Sequence, residues 1–217
     1  IGITNTTVVG DTRFDRVLEI CHQAKELPLV EKFKGNHTAF VAGSSWGPDE
    51  DIFIPYLNAH PEVKLIIAPH VIDESHLKEI IGKLNRTVVR YTQATEEKVK
   101  EADCLLIDCF GLLSSIYRYG EIAYIGGGFG VGIHNVLEAA VYGMPVIFGP
   151  NNKRFREAQG LLQCKGGFEI QGAEDFKKIM DNFLNNYEAL DKAGKKAGNY
   201  VRDNAGALEK IMHTVTL

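Results

Sequence analysis

Short apolar runs alternate along the chain with longer amphipathic stretches. Apolar runs of about four to eight residues are typical of buried strands, and amphipathic stretches of about ten or more are typical of helices. The runs predicted to be strands are residues 38–42, 64–68, 87–91, 103–108, 122–125, 146–148 and 166–170. The stretches predicted to be helices are residues 14–26, 48–58, 73–84, 134–142, 173–184 and 187–212, with shorter helices ending near residues 117 and 162.

This alternation of strands and helices predicts an α/β fold. In such folds a parallel sheet is covered by helices on both faces. We therefore expect a Rossmann-like parallel sheet of seven strands flanked by helices, formed as one domain by residues 1–217. Ligand-binding loops of such a sheet collect at the carboxyl ends of its strands.

Composition and charge narrow the class of protein. An apolar content of 45% and a charged content of 24% are ordinary for a soluble globular domain. A net charge of −4 does not indicate the basic face that a nucleic-acid partner requires. We see neither an apolar run of about 18 residues, as a membrane span needs, nor a signal peptide. The four cysteines have no C-x-x-C spacing and are expected to be reduced, with neither a metal nor a disulfide.

The most distinctive stretch follows the predicted strand at residues 122–125, where five of the seven residues 126–132 are glycine. Glycine permits backbone angles closed to other residues and lets a ligand approach the main chain. The predicted helix then begins at His134, with Asn135 as its N-cap and Glu138 in its first turn. A glycine loop before a helix start is typical of a phosphate or carboxylate site, and Glu138 can alternatively accept hydrogen bonds from a ribose diol. A plain tight turn is equally compatible, and the G-x-G-x-x-G dinucleotide pattern is not met.

Three other predicted strands end in turns with candidate binding residues, which we expect to meet the glycine loop at one edge of the sheet. The candidates in these turns are Ser44, Ser45, Pro69, His70, Phe110, Gly111 and Leu113. The alternative for Ser45 is that it caps the following helix, and Trp46 is interpreted as loop packing. The amides of residues 110–113 are expected to point at a phosphate or at the edge of a base, because they precede a helix start.

In combination these strings resemble the donor-binding half of GT-B glycosyltransferases. More narrowly, they resemble the 3-deoxy-D-manno-octulosonic acid (Kdo) transferases of lipopolysaccharide synthesis. The strings that carry the resemblance are the glycine loop, H-N-V-L-E at residues 134–138, G-M-P-V-I-F-G-P at 143–150, G-S-S-W-G-P-D-E at 43–50 and D-C-F-G-L-L-S-S-I-Y at 108–117. Two positions depart from the family pattern, since His70 and Leu112 stand where the family has arginine and glutamate.

The resemblance implies a donor, CMP-Kdo, and a metal-independent site without a cofactor. It implies that Gly127, Gly128 and Asn135 bind the phosphate or the Kdo, and that Glu138 binds the ribose. It further implies that residues 110–113 hold the cytidine and that His70 lies near the phosphate. Ser44, Ser45 and Pro69 complete the donor-binding set.

The resemblance also implies that this chain is one half of an enzyme. The general base is then expected on a missing N-terminal half, so no catalytic residue is assigned here. The acceptor, a lipid A precursor, and the bacterial inner membrane, at its cytoplasmic face, are expected to be reached only through that missing half. The fragment itself is expected to be soluble and inactive. Residues 1–16 are expected near the interdomain linker, with Arg13, Asp15 and Arg16 at the interface, and residues 187–217 are expected to form a long C-terminal helical segment.

Two alternatives remain open at this stage. One is another GT-B enzyme that uses a UDP-sugar, either a transferase or a 2-epimerase. The other is a non-catalytic nucleotide-binding module.

Overall fold

The computed structural model describes residues 6–215, and their strands form one parallel sheet. The strands are β1 (Ala39–Ser45), β2 (Lys64–Pro69), β3 (Val88–Arg90), β4 (Cys104–Leu106), β5 (Ile122–Ile125), β6 (Val146–Phe148) and β7 (Gly167–Glu169). Their order across the sheet is β3-β4-β2-β1-β5-β6-β7. The predicted seven-stranded parallel sheet is therefore confirmed, with β1 at its centre.

Helices cover both faces of the sheet, as predicted. They are α1 (Thr12–His22), α2 (Pro28–Lys34), α3 (Gly47–Asn58), α4 (Glu74–Lys83), α5 (Glu96–Glu101), α6 (Leu113–Ile116), α7 (Leu137–Ala140), α8 (Arg156–Cys164), α9 (Ala173–Asn185), α10 (Tyr187–Asp203) and α11 (Ala207–Thr214). Two 3-10 turns, Tyr91–Gln93 and Tyr117–Tyr119, connect elements.

Side chains of β1 alternate between two separate hydrophobic cores. Val41 packs into the core beneath α1, α2, α7 and α8, whereas Phe40 and Ala42 pack into the core beneath α3, α4 and α9. Because successive residues of a strand point to opposite faces, a strand buried on both sides must be apolar throughout. This explains why the strands appear in the sequence as continuous apolar runs.

The helix predictions need correction at both ends of the chain and in its middle. The single helix predicted for residues 187–212 is wrong, because α10 ends at Asp203 and α11 begins at Ala207. Gly206 separates them with a φ of +97°, which is not a helical backbone angle. The first helix ends at His22 rather than near residue 26, and the short helices α2 and α5 were not predicted.

Charged residues near the chain start make contacts within this domain. Arg13 donates to Glu157 at 2.7 Å and to Asp11, which caps α1. Asp15 accepts hydrogen bonds from the amides of residues 206, 207 and 208 at 2.7, 3.1 and 3.4 Å. Arg16 forms an exposed pair with Glu19. The predicted interface role of these residues stays a prediction, and the part of the predicted linker in residues 1–5 lies outside the described residues.

Two further features bear on the sequence predictions. All four cysteines carry free thiols. Among the helices within residues 6–215, none combines the length and the apolar character that crossing a membrane requires.

Replacement of Asp15 by alanine tests its role as the cap of α11. We expect Asp15→Ala to lower the free energy of unfolding by about 1–2 kcal/mol, because three amides at the start of α11 lose their acceptor. Urea denaturation measures this difference. The matched control Glu19→Ala, on the same helix, removes an exposed ion pair with Arg16 and an exposed hydrogen bond from Gln23, and is expected to cost less than about 0.5 kcal/mol. An equal effect of both changes would contradict the capping role.

Candidate functional site

The turns that follow β1, β2, β4 and β5 meet at the carboxyl edge of the sheet. The amide of His70 donates to the carbonyl of Ser45 at 2.9 Å, and the amide of Gly126 donates to the carbonyl of Gly43 at 3.0 Å. Tyr117, from the segment after β4, packs directly against Gly43. The predicted convergence of the four turns is therefore present in the structure.

A cavity of about 220 Å³ opens between three of these turns. Its lining contains six of the predicted binding residues: Ser44, Pro69, His70, Phe110, Gly111 and Leu113. The remaining lining residues are Ala68, Ile72, Ile107 and Cys109. Sequence reasoning therefore found the majority of the residues around this cavity.

Ser44 reaches the cavity through an unusual backbone conformation. Its φ is +52°, a value that non-glycine residues adopt rarely and that commonly marks a functional site. The pairing of β1 with β2 shifts register between Gly43 and Ser45, so Ser44 is the extra residue. Such a bulge changes the direction in which a side chain points. The half-buried Ser44 side chain consequently faces the cavity.

Ser45 lies differently from the prediction. Its side chain is fully buried, and its hydroxyl donates to Glu50 at 2.9 Å. The alternative that Ser45 caps α3 is wrong, because Trp46 is the N-cap residue and its amide donates to Asp49 at 3.0 Å. The Ser45 hydroxyl thus stabilises the β1 turn through a buried hydrogen bond, and Ser45 does not line the cavity.

Three aromatic rings from three different turns stack beside the cavity. The ring of His70 lies 4.6 Å from that of Trp46 and 4.4 Å from that of His134. The indole N–H of Trp46 donates to Nε2 of His134 at 3.2 Å. Trp46, interpreted from the sequence as loop packing, is therefore part of the site.

The hydrogen bond from Trp46 fixes the protonation state of His134. An indole nitrogen only donates, so Nε2 of His134 must be the acceptor and the ring proton lies on Nδ1. Burial lowers the pKa of His134, and the neighbouring His70 lowers it further, so the neutral ring is favoured. His134 is left with an Nδ1–H group that can donate to a ligand oxygen.

Asp49 connects the glycine loop to the start of α3. Its carboxylate is buried and accepts hydrogen bonds from Tyr124 Oη at 2.8 Å, from the amide of Gly127 at 2.9 Å and from the amide of Trp46 at 3.0 Å. Burial raises the pKa of Asp49, although its hydrogen bonds oppose that shift. The Gly127 amide, predicted to bind a ligand, is thus occupied within the protein.

Close backbone contacts explain the glycines of this loop. A Cβ atom on Gly126 would lie 2.2 Å from the carbonyl oxygen of Ser44, and one on Gly128 would lie 2.5 Å from the amide nitrogen of Gly149. Gly127 has a φ of +90°. The alternative of a plain tight turn is therefore sufficient to explain why residues 126, 127 and 128 are glycines. The role of these glycines in binding a ligand stays a prediction.

Glu138 and Asn135 lie at the start of α7, which begins at Leu137 rather than at residue 134. Val136 is the N-cap of α7, so Asn135, the predicted N-cap, lies one residue before the cap position. The Oδ1 atom of Asn135 still accepts a hydrogen bond from the amide of Leu137 at 3.1 Å. Asn135 is exposed and donates to Glu138 Oε1 at 2.9 Å.

The Glu138 carboxylate is half-buried at the same edge of the sheet. Burial raises the pKa of Glu138, and the hydrogen bond from Asn135 opposes that shift. Burial raises the pKa of Tyr117, the phenol that packs on Gly43, and the charge of Glu138 raises it further. Glu138 is half-buried, and neither it nor Asn135 lines the 220 Å³ cavity.

The segment before α6 offers unoccupied hydrogen-bond donors. Among the described residues, no acceptor pairs with the amides of residues 110–114. Phe110 stands at the rim with 80% of its surface exposed, which is unusual for a large apolar side chain. Asp108 anchors this segment by accepting from the amide and the hydroxyl of Thr92 at 2.9 and 2.6 Å.

The sequence contained signals for the site residues that we did not predict. Trp46 directly follows the candidate serines, and His134 opens the H-N-V-L-E string. Asp49 and Glu50 lie at the start of the helix predicted for residues 48–58, where the helix dipole favours carboxylates. Within residues 6–215, no group of three or more His, Cys, Asp or Glu side chains is arranged to hold a metal ion.

No family model matches the chain. Among curated proteins, the 3-deoxy-D-manno-octulosonic acid transferase of Rickettsia bellii (strain RML369-C) is 26% identical over 224 residues, covering all of this chain and 53% of the relative. The enzyme of the same name from Aquifex aeolicus (strain VF5) is 32% identical over 171 residues, covering 76% of this chain and 45% of the relative. The resemblance to Kdo transferases is confirmed. The chain spans about half the length of the curated relatives it matches.

The fold agrees with this result. The crystal structure of the C-terminal CMP-Kdo binding domain of WaaA from Acinetobacter baumannii superposes with a TM-score of 0.69 at 20% identity. The match covers 87% of this chain and 99% of that domain. At this identity the similarity establishes the fold, which is one half of the GT-B architecture of the Kdo transferase relatives.

Alanine at Gly126 tests the packing of the glycine loop on the β1 turn. We expect Gly126→Ala to lower the free energy of unfolding by about 2–3 kcal/mol, because the new Cβ would collide with the Ser44 carbonyl. The matched control is Gly130→Ala in the same loop, where the nearest atom is 3.9 Å away. We expect that change to alter stability by less than about 0.5 kcal/mol in the same urea titration. A tolerated Gly126→Ala would show that the loop does not need this close approach.

Proposed function

We propose that this chain is the donor-binding domain of a Kdo transferase. The complete protein would move Kdo from CMP-Kdo to a lipid A precursor in lipopolysaccharide synthesis. One observation carries the proposal: a chain that resembles Kdo transferases over its full length has six predicted binding residues around one cavity.

The chemistry around the cavity suits a cytidine nucleotide. The unpaired amides of residues 110–114 are donors, and the pyrimidine edge of cytosine presents two neighbouring acceptors, O2 and N3. Uracil has an N3–H donor at the same place, which an amide donor would repel. The exposed ring of Phe110 offers a face on which a base can stack. Glu138 is proposed to accept hydrogen bonds from the ribose hydroxyls.

The negative phosphate is proposed to be held by neutral donors and by His70. His134 is proposed to contribute the Nδ1–H group, since its bond with Trp46 engages only Nε2. His70 stands at the end of β2, with its ring exposed and held between two aromatic neighbours. Fixed donors that stabilise charge on a departing group are among the largest contributions to catalysis.

The transfer itself needs the rest of the protein. The bond between the anomeric carbon of Kdo and the phosphate oxygen breaks, an acceptor hydroxyl forms the new bond, and CMP leaves. The proton of that hydroxyl is proposed to pass to a carboxylate outside this chain. The acceptor site and attachment to the cytoplasmic face of the inner membrane are likewise assigned to the rest of the protein. Donor binding is proposed to be independent of a divalent metal and of any cofactor.

Calorimetric titration with CMP and with UMP, which carry equal charge, tests the choice of base. We expect CMP to bind about tenfold more tightly, because a mismatched hydrogen-bonding group costs about 1–2 kcal/mol. UDP is included because UDP-sugar enzymes are the alternative. Addition of EDTA is expected to leave CMP affinity unchanged. Tighter binding of UDP than of CMP, or loss of CMP binding in EDTA, would contradict the proposal.

The role of Glu138 is tested by combining a protein change with a ligand change. We expect Glu138→Gln to weaken CMP binding about tenfold, because hydrogen bonds to a charged group are worth about 1.5–3 kcal/mol. With 2′,3′-dideoxycytidine monophosphate the same substitution is expected to have little effect, since the ribose hydroxyls are absent. Glu174→Gln, an exposed carboxylate on α9, is the matched control. An equal loss with both ligands would exclude a ribose contact.

The isolated 217-residue chain is expected to bind CMP weakly and to transfer nothing. The reason is that the proposed base and acceptor site lie outside it. Incubation with CMP-Kdo and a lipid A precursor, followed by mass spectrometry of the lipid, measures transfer. Appearance of Kdo-modified lipid would show that a catalytic base lies within this chain.

A further inference from the structure

A pair of ionisable side chains, the buried Glu50 and the half-buried His76, lies next to the turns of the candidate site. Glu50, in the first turn of α3, is fully buried, and its Oε2 lies 3.0 Å from Nε2 of His76 on α4. The other ring nitrogen of His76, Nδ1, lies 3.0 Å from the carbonyl oxygen of Val71. The second carboxylate oxygen of Glu50 accepts from the hydroxyl of Ser45 at 2.9 Å.

The partners of His76 determine how many protons its ring carries. A carbonyl oxygen only accepts, so Nδ1 must be protonated. An ionised carboxylate also only accepts, so Nε2 is protonated as well when Glu50 is ionised. The ring is then an imidazolium paired with a buried carboxylate. The competing arrangement, a protonated Glu50 donating to a neutral ring, would carry the same number of protons on the pair.

The surroundings favour the charged ring. Burial lowers the pKa of His76, but the Val71 carbonyl and the charge of Glu50 outweigh it, so the net shift is upward. The charged groups that face the ring are Glu50 on α3 and Asp73 at the start of α4. Asp73 also acts to raise the pKa.

This pair joins two turns of the candidate site. Val71 follows His70 in the turn after β2, and Ser45 follows Ser44 in the turn after β1. The two turns also meet directly, through the bond from the His70 amide to the Ser45 carbonyl and through the stacking of Trp46 on His70. His76 and Glu50 add a further connection, because one holds Val71 and the other holds Ser45.

We infer that the charged form of His76 is a positioning residue, which holds the β1 and β2 turns in their nucleotide-binding arrangement and makes nucleotide affinity depend on pH. The inference rests on the proposed function, since it concerns the same site. His76 itself does not line the cavity. It acts through Val71 and through Glu50.

The direction of the pH dependence follows from the raised pKa. A histidine whose pKa is raised on folding stabilises the folded arrangement fully at pH values below its ordinary pKa of about 6.5. That stabilisation is lost as the pH rises through the raised pKa of the folded state. We therefore expect nucleotide affinity to be highest near pH 6 and to fall as His76 loses its proton.

Calorimetry between pH 6 and pH 9 tests this expectation on the 217-residue chain. The ligand is the methyl ester of CMP, because its phosphodiester does not titrate in this range. We expect the affinity of the wild-type chain to fall about fivefold, at the low end for coupled sites. His76→Gln is expected to bind more weakly at pH 6 and to lose this fall. His22→Gln, an exposed histidine on α1, is expected to follow the wild-type profile.

Nitrogen-detected NMR of the wild-type imidazole provides a readout that does not depend on a variant folding. Two protonated nitrogens on His76 near pH 6, and one after titration, are expected. Glu50→Gln is expected to lower the pKa of His76, whereas a neutral ring would tolerate an amide donor at that place. A ring with one proton at pH 6, or parallel pH profiles for wild type and His76→Gln, would overturn the inference. Absence of nucleotide binding by the wild-type chain at every pH would instead overturn the proposed function.

Discussion

The buried carboxylate of Asp49 is the interaction on which the shape of the site depends. It receives three hydrogen bonds, from the end of β5, from the glycine loop and from the start of α3. A carboxylate can be buried only where donors replace the water that it loses. The donors come from two segments far apart in sequence, residue 46 and residues 124–127, so satisfying this one group brings those segments to the same place. The glycine loop is consequently held against the β1 turn, where only glycine fits at position 126.

Glu50, the next residue, connects the start of α3 to the β2 turn through His76, as Asp49 connects it to the glycine loop. Adjacent residues in the first turn of α3 point in different directions, so their carboxylates reach opposite sides of the β1 turn. One side chain meets β5 and its loop, and the other meets Ser45 and His76. The start of α3 is thus the framework of the cleft, although neither Glu50 nor Ser45 lines the 220 Å³ cavity. A helix start is suited to this task, since its dipole favours both negative charges.

The sequence predicted the sheet and much of the cleft for physical reasons. The strands β1, β2, β4, β5 and β6 are buried on both faces and must therefore be apolar, so they were visible as apolar runs. The half-buried edge strands β3 and β7 were predicted from shorter runs of the same kind. Six cavity-lining residues were predicted because parallel strands place their terminal turns at one edge. The break at Gly206 was missed because amphipathic periodicity continues from α10 into α11, with Asp15, nearly two hundred residues away in sequence, capping the second helix. The occupied Gly127 amide and the buried Ser45 hydroxyl were likewise unpredictable, because their partners are set by tertiary contacts that no local pattern records.

The composition of the cavity wall determines which groups could attract the phosphate of the proposed ligand. Its lining contains no lysine or arginine, and His70 is the one residue there that carries a positive charge when protonated. Backbone amides and a neutral imidazole N–H are partial charges fixed in place, so their attraction for a phosphate acts at short range and depends on exclusion of water. A cleft open on one side excludes water poorly. Under the proposed function, the rest of the protein would cover this surface and strengthen the effect of each fixed donor. The absence of lysine and arginine from this wall therefore favours the proposal that this chain alone binds CMP weakly.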